Sequence, residues 1–113
     1  MTRQEVKLWI RRPLEYHRQV EELTQARKDS GPENAGMYEQ RLKELQAAEA
    51  AARIEVYERL KSADLPPRLA SVLTQRYLRC LKWPVIIRTL GKSKQWAYKL
   101  HNMALDALTE KMQ

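Results

Sequence analysis

Apolar residues recur at three- and four-residue intervals through most of this chain. That repeat lines one face of an α-helix, whereas a strand repeats every two residues. Between residues 4 and 28 the stripe is Leu8, Leu14, His17, Val20 or Glu21, and Leu23, with no glycine to interrupt it. The pattern predicts one long helix flawed at Pro13, because an interior proline removes a backbone hydrogen bond and costs about 3 kcal/mol. The expected resolution is a kink near residues 10 to 13, or a helix that starts at Pro13. Asp29-Ser30-Gly31-Pro32-Glu33-Asn34-Ala35-Gly36 then gathers turn formers and predicts a loop. A second helix is expected from about Met37 to Lys61, with Leu42, Leu45, Ala48, Ala52, Val56 and Leu60 on one face. Its other face carries both signs of charge, as in Glu39 with Lys43 and Glu55 with Arg59. Two such helices joined by a short loop bury both stripes only when antiparallel, so residues 1–64 read as a helical hairpin resembling a coiled coil. Alanines at 47, 48, 50, 51 and 52 allow the helices to approach closely.

Asp64-Leu65-Pro66-Pro67 marks the next boundary, since proline suits a first helical turn and is excluded from a helix interior. A third helix is expected over roughly 66–81, with Leu69, Val72, Leu73, Tyr77 and Cys80 or Leu81 inward. Pro84 opens a short helix through Leu90, with Lys82 or Trp83 at its cap position. Ser93 is a proper N-cap for a last helix that runs to about Met112 and buries Ala97, Leu100, Ala104 and Leu108. No strand pattern survives this segmentation. The expected fold is all-α, an N-terminal antiparallel hairpin (1–64) followed by a three-helix domain (65–113).

The end of the chain, a short helix, a turn containing Gly91 and a Ser-capped helix, has the helix-turn-helix layout. Ile86 and Leu90 fall on the inner face of the first helix, and Ala97 and Leu100 on that of the second. Gly91 is expected to be left-handed, where a Cβ would clash. Two positions depart from the usual motif: Ile87 stands where a small residue is common, and Lys92 where an apolar residue often plugs the turn. Ala97 facing Ile87 exchanges small for large and roughly conserves volume.

Charge sharpens this picture. The 113 residues carry 21 Lys+Arg and 14 Asp+Glu, a net charge of +7. Residues 1–64 balance to zero, so residues 65–113 hold the whole excess, and no carboxylate occurs between Leu65 and Leu105. Arg68, Arg76, Arg79, Lys82, Arg88, Lys92, Lys94 and Lys99 all fall in that stretch. Solvated helical surfaces usually interleave both signs, so one sign over this length implies an anionic partner, nucleic acid foremost. The length suits one domain, or a small domain with a helical extension. No apolar run approaches a membrane span, and the charged residues after Met1-Thr2 offer no secretory core, which predicts a cytoplasmic protein without membrane partners. Cys80 stands alone, and His17 and His101 add no zinc-ligand spacing, so neither a metal nor another cofactor is expected. His101 lacks a triad partner and reads as a surface or boundary residue. The Glu21-Glu22 and Glu55, Glu58 groups read as solvated faces. No catalytic residue is expected and the chain does not read as an enzyme.

Tyr77-Leu78, Trp83 through Ile86, Leu90-Gly91, Ser93, and Tyr98-Lys99-Leu100-His101 with Ala104-Leu105 and Leu108 resemble the helix-turn-helix of small phage and prophage transcriptional regulators of the ArpU and RinA type. That segment in turn is similar to the DNA-binding C-terminal domain of sigma factors. The resemblance covers about 45 residues, from Leu69 to the end, and implies control of phage or prophage genes in a bacterial host cell.

In this layout Lys94, Gln95, Tyr98 and Lys99, with Asn102 one turn on, point away from the core and suit base edges in a major groove. Arg76, Arg79, Lys82, Arg88 and Lys92 suit phosphates, as does the helix end capped by Ser93. Trp96 either fills a groove between helices or presents its edge to DNA, and Trp83 and Tyr77 belong to the core. The expected partners are double-stranded DNA and a second copy of the chain, with RNA polymerase a further candidate. The alternative expectation is a protein-interaction module whose hairpin is the functional surface and whose basic end docks on an acidic partner in a transcription or packaging complex.

Overall fold

In the computed structural model side-chain caps open the first and last helices, and a proline in the first turn opens three of the others. Helix α1 (Arg3–Ile10) opens on a capping box in which the Thr2 hydroxyl accepts from the Glu5 amide and the Glu5 carboxylate accepts from the Thr2 amide. It ends at Arg11, and α2 (Arg12–Ser30) restarts with Pro13 in its first turn, where the missing N–H would have no helical partner anyway. The interruption expected at residues 10 to 13 is thus a break between two helices. Its consequence is a change of phase: Val6 and Ile10 are fully buried, and Leu8, expected inward, is 56% exposed. Leu8 and Leu14 no longer share a helix axis, so their spacing does not place them on one face.

A single 3₁₀ turn, Pro32–Asn34, replaces most of the expected loop and leads into α3 (Ala35–Ala63). The α2/α3 pair is antiparallel, since Arg12 reaches Glu55 while His17 reaches Glu49. Leu14, Leu42, Leu45, Ala52, Val56 and Leu60 are buried along it, as the stripe predicts. With 29 residues, α3 is about 43 Å long at 1.5 Å per residue, which accounts for most of the 50 Å long axis of the molecule. The radius of gyration, 16.3 Å, correspondingly exceeds the roughly 13 Å of a spherical domain of this length.

Asp64 ends α3 in the left-handed region at φ 50°, and α4 (Pro67–Leu73) follows. The helix expected to reach residue 81 widens instead into a π-helical turn at Thr74–Leu78. Cys80 at φ 55° closes it, and the Leu81 amide donates back to the Gln75 carbonyl at 3.0 Å. Helices α5 (Trp83–Leu90) and α6 (Lys94–Lys111) are joined by Gly91 in the left-handed region, and the Ser93 hydroxyl accepts from the Trp96 amide at 3.1 Å.

One cluster of 16 buried residues unites the two ends of the chain. Val6, Ile10 and Leu14 from α1 and α2, with Val56, Leu60 and Ala63 from the end of α3, pack with Val72 and Leu73 of α4, Tyr77 of the π turn, Ile86 of α5 and Leu100, Ala104, Leu105 and Leu108 of α6. Helix α1 lies against α6, tied at the rim by an Arg3–Asp106 ion pair and by Gln113 donating to the Met1 carbonyl at 2.6 Å. The structure is all-helical, and no helix is long and apolar enough to cross a membrane.

Gly91 sits at φ 65°, and a Cβ built there would meet nothing within 4 Å. The cost of a side chain is therefore conformational alone, about 1–2 kcal/mol. Gly91→Ala is expected to lower stability to urea by that amount and Gly91→Asn by less, since Asn tolerates left-handed backbone; equal losses would exclude backbone conformation as the cause.

Candidate nucleic-acid interface

The nine lysines and arginines after Leu65 are without carboxylate partners. Every ion pair in the structure takes its cation from residues 1–64. Residues 1–64 balance their charge in number, and most of the positive charge of the α4–α6 end is exposed to solvent.

The helical repeat sorts the predicted residues into rows on α6. Lys94, Gln95 and Lys99 are exposed on its first two turns. Tyr98 is half-buried, its ring edge-on to Trp83 with centroids 4.8 Å apart, and the Lys94 ammonium lies 5.9 Å from the Tyr98 ring centroid. Asn102 is exposed but engaged, its carbonyl oxygen accepting from Arg3 at 3.2 Å, so α1 borders the row at this point. Arg79, Lys82, Arg88, Lys92 and Ser93 are exposed around α5 and its turn. Arg76 differs from them. Half-buried, it donates to the Leu81 carbonyl at 3.0 Å and stacks 5.4 Å from the Trp83 ring centroid, which braces the connection into α5. Trp96 packs against the core with the Lys99 ammonium 5.3 Å from its ring centroid, the packing alternative of the two open from sequence.

Beneath this row the buried Tyr77 and the half-buried His101 form a support. Their hydroxyl oxygen and Nε2 are 2.6 Å apart, and Trp83 stands edge-on to the imidazole at 5.1 Å. Burial, reinforced by the positive charges of Lys7, Arg76 and Arg3, pushes His101 down from 6.5 to about 4. The ring is therefore neutral near pH 7, and its Nε2 is hydrogen-bonded to the Tyr77 hydroxyl. Burial likewise pushes the Tyr77 hydroxyl up. His101 is thus a half-buried prop at the boundary of the core, the second of the two positions the sequence suggests. Cys80, whose thiol is pushed up by burial, accepts from Arg53 at 3.4 Å. No group of three His, Cys, Asp or Glu side chains is arranged to hold a metal ion.

Sequence reasoning missed Lys7 and Arg11, which α1 and the break after it bring beside Arg76 and Tyr98. Their segment is charge-balanced, and only tertiary packing moves them next to the basic end.

The His101 shift has a definite sign. As pH falls below about 6.5 the unfolded chain takes up a proton that the folded chain refuses until about 4, so this contribution to stability is complete above 6.5 and is lost across that window. Urea midpoints are expected to fall between pH 7 and pH 5 more steeply for the native protein than for His101→Gln; parallel pH profiles would refute the assignment.

No family model, characterised protein or solved structure matches this chain.

Proposed function

We propose that this protein is a sequence-specific DNA-binding transcription regulator that lays the first turns of α6 in the major groove, with α5, the Gly91 turn and α6 acting as a helix-turn-helix. The observation that carries this reading is the basic face around α5 and α6, none of whose lysines or arginines makes an ion pair, whereas six of the cations in residues 1–64 do. An anionic polymer relieves the self-repulsion of such a face and gains from counterion release. Lys94, Gln95 and Lys99 are the exposed readers, Lys donating to guanine O6 and N7 and Gln pairing with adenine N6 and N7. Tyr98 is anchored on Trp83 and reads from a fixed position, and Asn102 contributes through its amide while Arg3 holds its oxygen. Arg79, Lys82, Arg88 and Lys92 bind phosphates and set register without reading sequence. The resemblance to phage and prophage regulators supports a role in phage gene control.

One such motif reads only a few base pairs, so useful specificity calls for a second copy. The outer face of α3 supports one. Ile54 and Tyr57 are 59% and 56% exposed there, next to the exposed Ala47, Ala50 and Ala51 at helical spacing. Paired through this stripe, two chains present α6 to half-sites about one helical turn, or a multiple of it, apart. The same stripe is what a partner protein such as RNA polymerase would use if the chain were instead an interaction module.

Binding of the intact protein to duplex DNA is expected to weaken with salt at a slope of about −4 to −5 in log K against log salt, from four to six phosphate contacts. Lys94→Ala and Gln95→Ala should each cost about 1–3 kcal/mol on the preferred site and relax base preference, whereas Arg79→Ala should weaken all sequences alike. A slope near zero removes the DNA reading, and identical behaviour of the Lys94 and Arg79 variants on specific and random DNA displaces α6 from the groove.

Sedimentation equilibrium at tens of micromolar is expected to show a dimer that Ile54→Glu converts to a monomer. A native monomer unchanged by DNA would exclude self-association and leave the stripe to another protein.

A further inference from the structure

Where α1 runs into α2, these helices together with the π turn and the starts of α5 and α6 line an open cleft of about 190 Å³. That volume equals about six waters at the density of the liquid, enough for a phosphate group with part of its hydration. Three cations line it, Lys7 from α1, Arg11 from the break and Arg76 from the π turn, and no carboxylate does. Arg11 shares its charge with Glu15 at 3.1 Å, while Lys7 and Arg76 have no acidic partner. Trp83 and Tyr98 form an aromatic wall and His101 the floor, so the cleft opens beside the exposed row of α6. Arg76 is held in place by the Leu81 carbonyl and the Trp83 ring, which fixes one cation before any anion arrives. Burial lowers the proton affinity of His101 first, and the positive charges of Lys7, Arg76 and Arg3, converging beside it, lower it further.

We infer that this cleft is a phosphate seat in which Lys7 and Arg76, aided by Arg11, grip one phosphodiester of the DNA backbone beside α6. The assignment of the phosphate to DNA rests on the reading proposed above; the anion chemistry of the cleft does not. It makes α1, from the charge-balanced half of the sequence, part of the nucleic-acid interface. Any duplex would occupy the seat equally, because a phosphate carries no base identity.

Two measurements on the full chain test it. In the first, Lys7→Ala is expected to reduce the salt slope of duplex binding by about 0.9, equally on specific and random DNA. Lys7→Arg should restore it, and Arg41→Ala, which removes a cation paired with Glu44 at the far end of the hairpin, should leave it unchanged. In the second, NMR follows the Trp83 indole N–H and the His101 ring at pH 7 during titration with inorganic phosphate, against chloride at matched ionic strength. Phosphate and duplex should both move these resonances, chloride should not, and Lys7→Ala should abolish the response. If duplex binds but the Lys7→Ala slope is unchanged and neither resonance moves, the seat is overturned while the DNA reading stands. If phosphate moves them and no duplex binds, the phosphodiester assignment is overturned and the cleft is a site for free phosphate. If nothing moves them and nothing binds, both fall.

Discussion

The docking of α1 against α6 organises this molecule. It follows from one local constraint, the proline that ends a helix at Ile10 and allows another to begin at Arg12. Freed from the axis of α2, α1 turns Val6 and Ile10 into the core with Leu105 and Leu108. Full burial of a Val or Ile side chain contributes about 1.5–3 kcal/mol, whereas the Arg3–Asp106 pair, with side chains 43% and 63% exposed, contributes at most about 1 kcal/mol. Apolar contact therefore holds the helix, and the ion pair sets its direction along the rim. The same docking carries Lys7 and Arg11 to the basic end and closes Asn102 against Arg3.

The two ends of the molecule manage charge in opposite ways. Along the hairpin, pairs such as Arg12 with Glu55 and Arg41 with Glu44 are exposed, so their worth lies in solubility and register more than in stability. Around α5 and α6 repulsion is left standing. The side chains beneath are neutral: Tyr77 is hydrogen-bonded to an uncharged His101, and Trp83 packs against both His101 and Tyr98. A protonated His101 would add one more cation to a site already crowded by Lys7, Arg76 and Arg3.

Two non-glycine residues in the left-handed region, Asp64 and Cys80, end α3 and the π turn. Both sit where the chain changes direction into the small helices, and the second is held by Leu81 donating to Gln75 across the widened turn. The sharp exits bring α4 back against α6 and aim Lys82 and the start of α5 outward.

The sequence by itself determined the all-helical class, the α2/α3 hairpin stripe, the Ser93 cap, the Gly91 turn and the carboxylate-free charge block, because each is a matter of near neighbours: side chains three or four residues apart, a cap bonding three residues on, a glycine at positive φ. Leu42, Leu45, Ala52, Val56 and Leu60 are buried as their spacing requires, and so are Ala97, Leu100, Ala104 and Leu108. Tertiary structure decided the rest. Which way α1 faces depends on the angle of a break whose position was legible and whose geometry was not, so Leu8 is outside and Val6 inside. The π turn interrupts a helix whose apolar spacing runs on through Tyr77, so that spacing does not announce it. His101 became a half-buried prop through Tyr77, 24 residues away, and the cleft drew Lys7 and Arg76 together from opposite halves of the chain. Such long-range juxtapositions leave no periodic trace, because the interaction that creates them is the burial of apolar surface, which is indifferent to sequence separation.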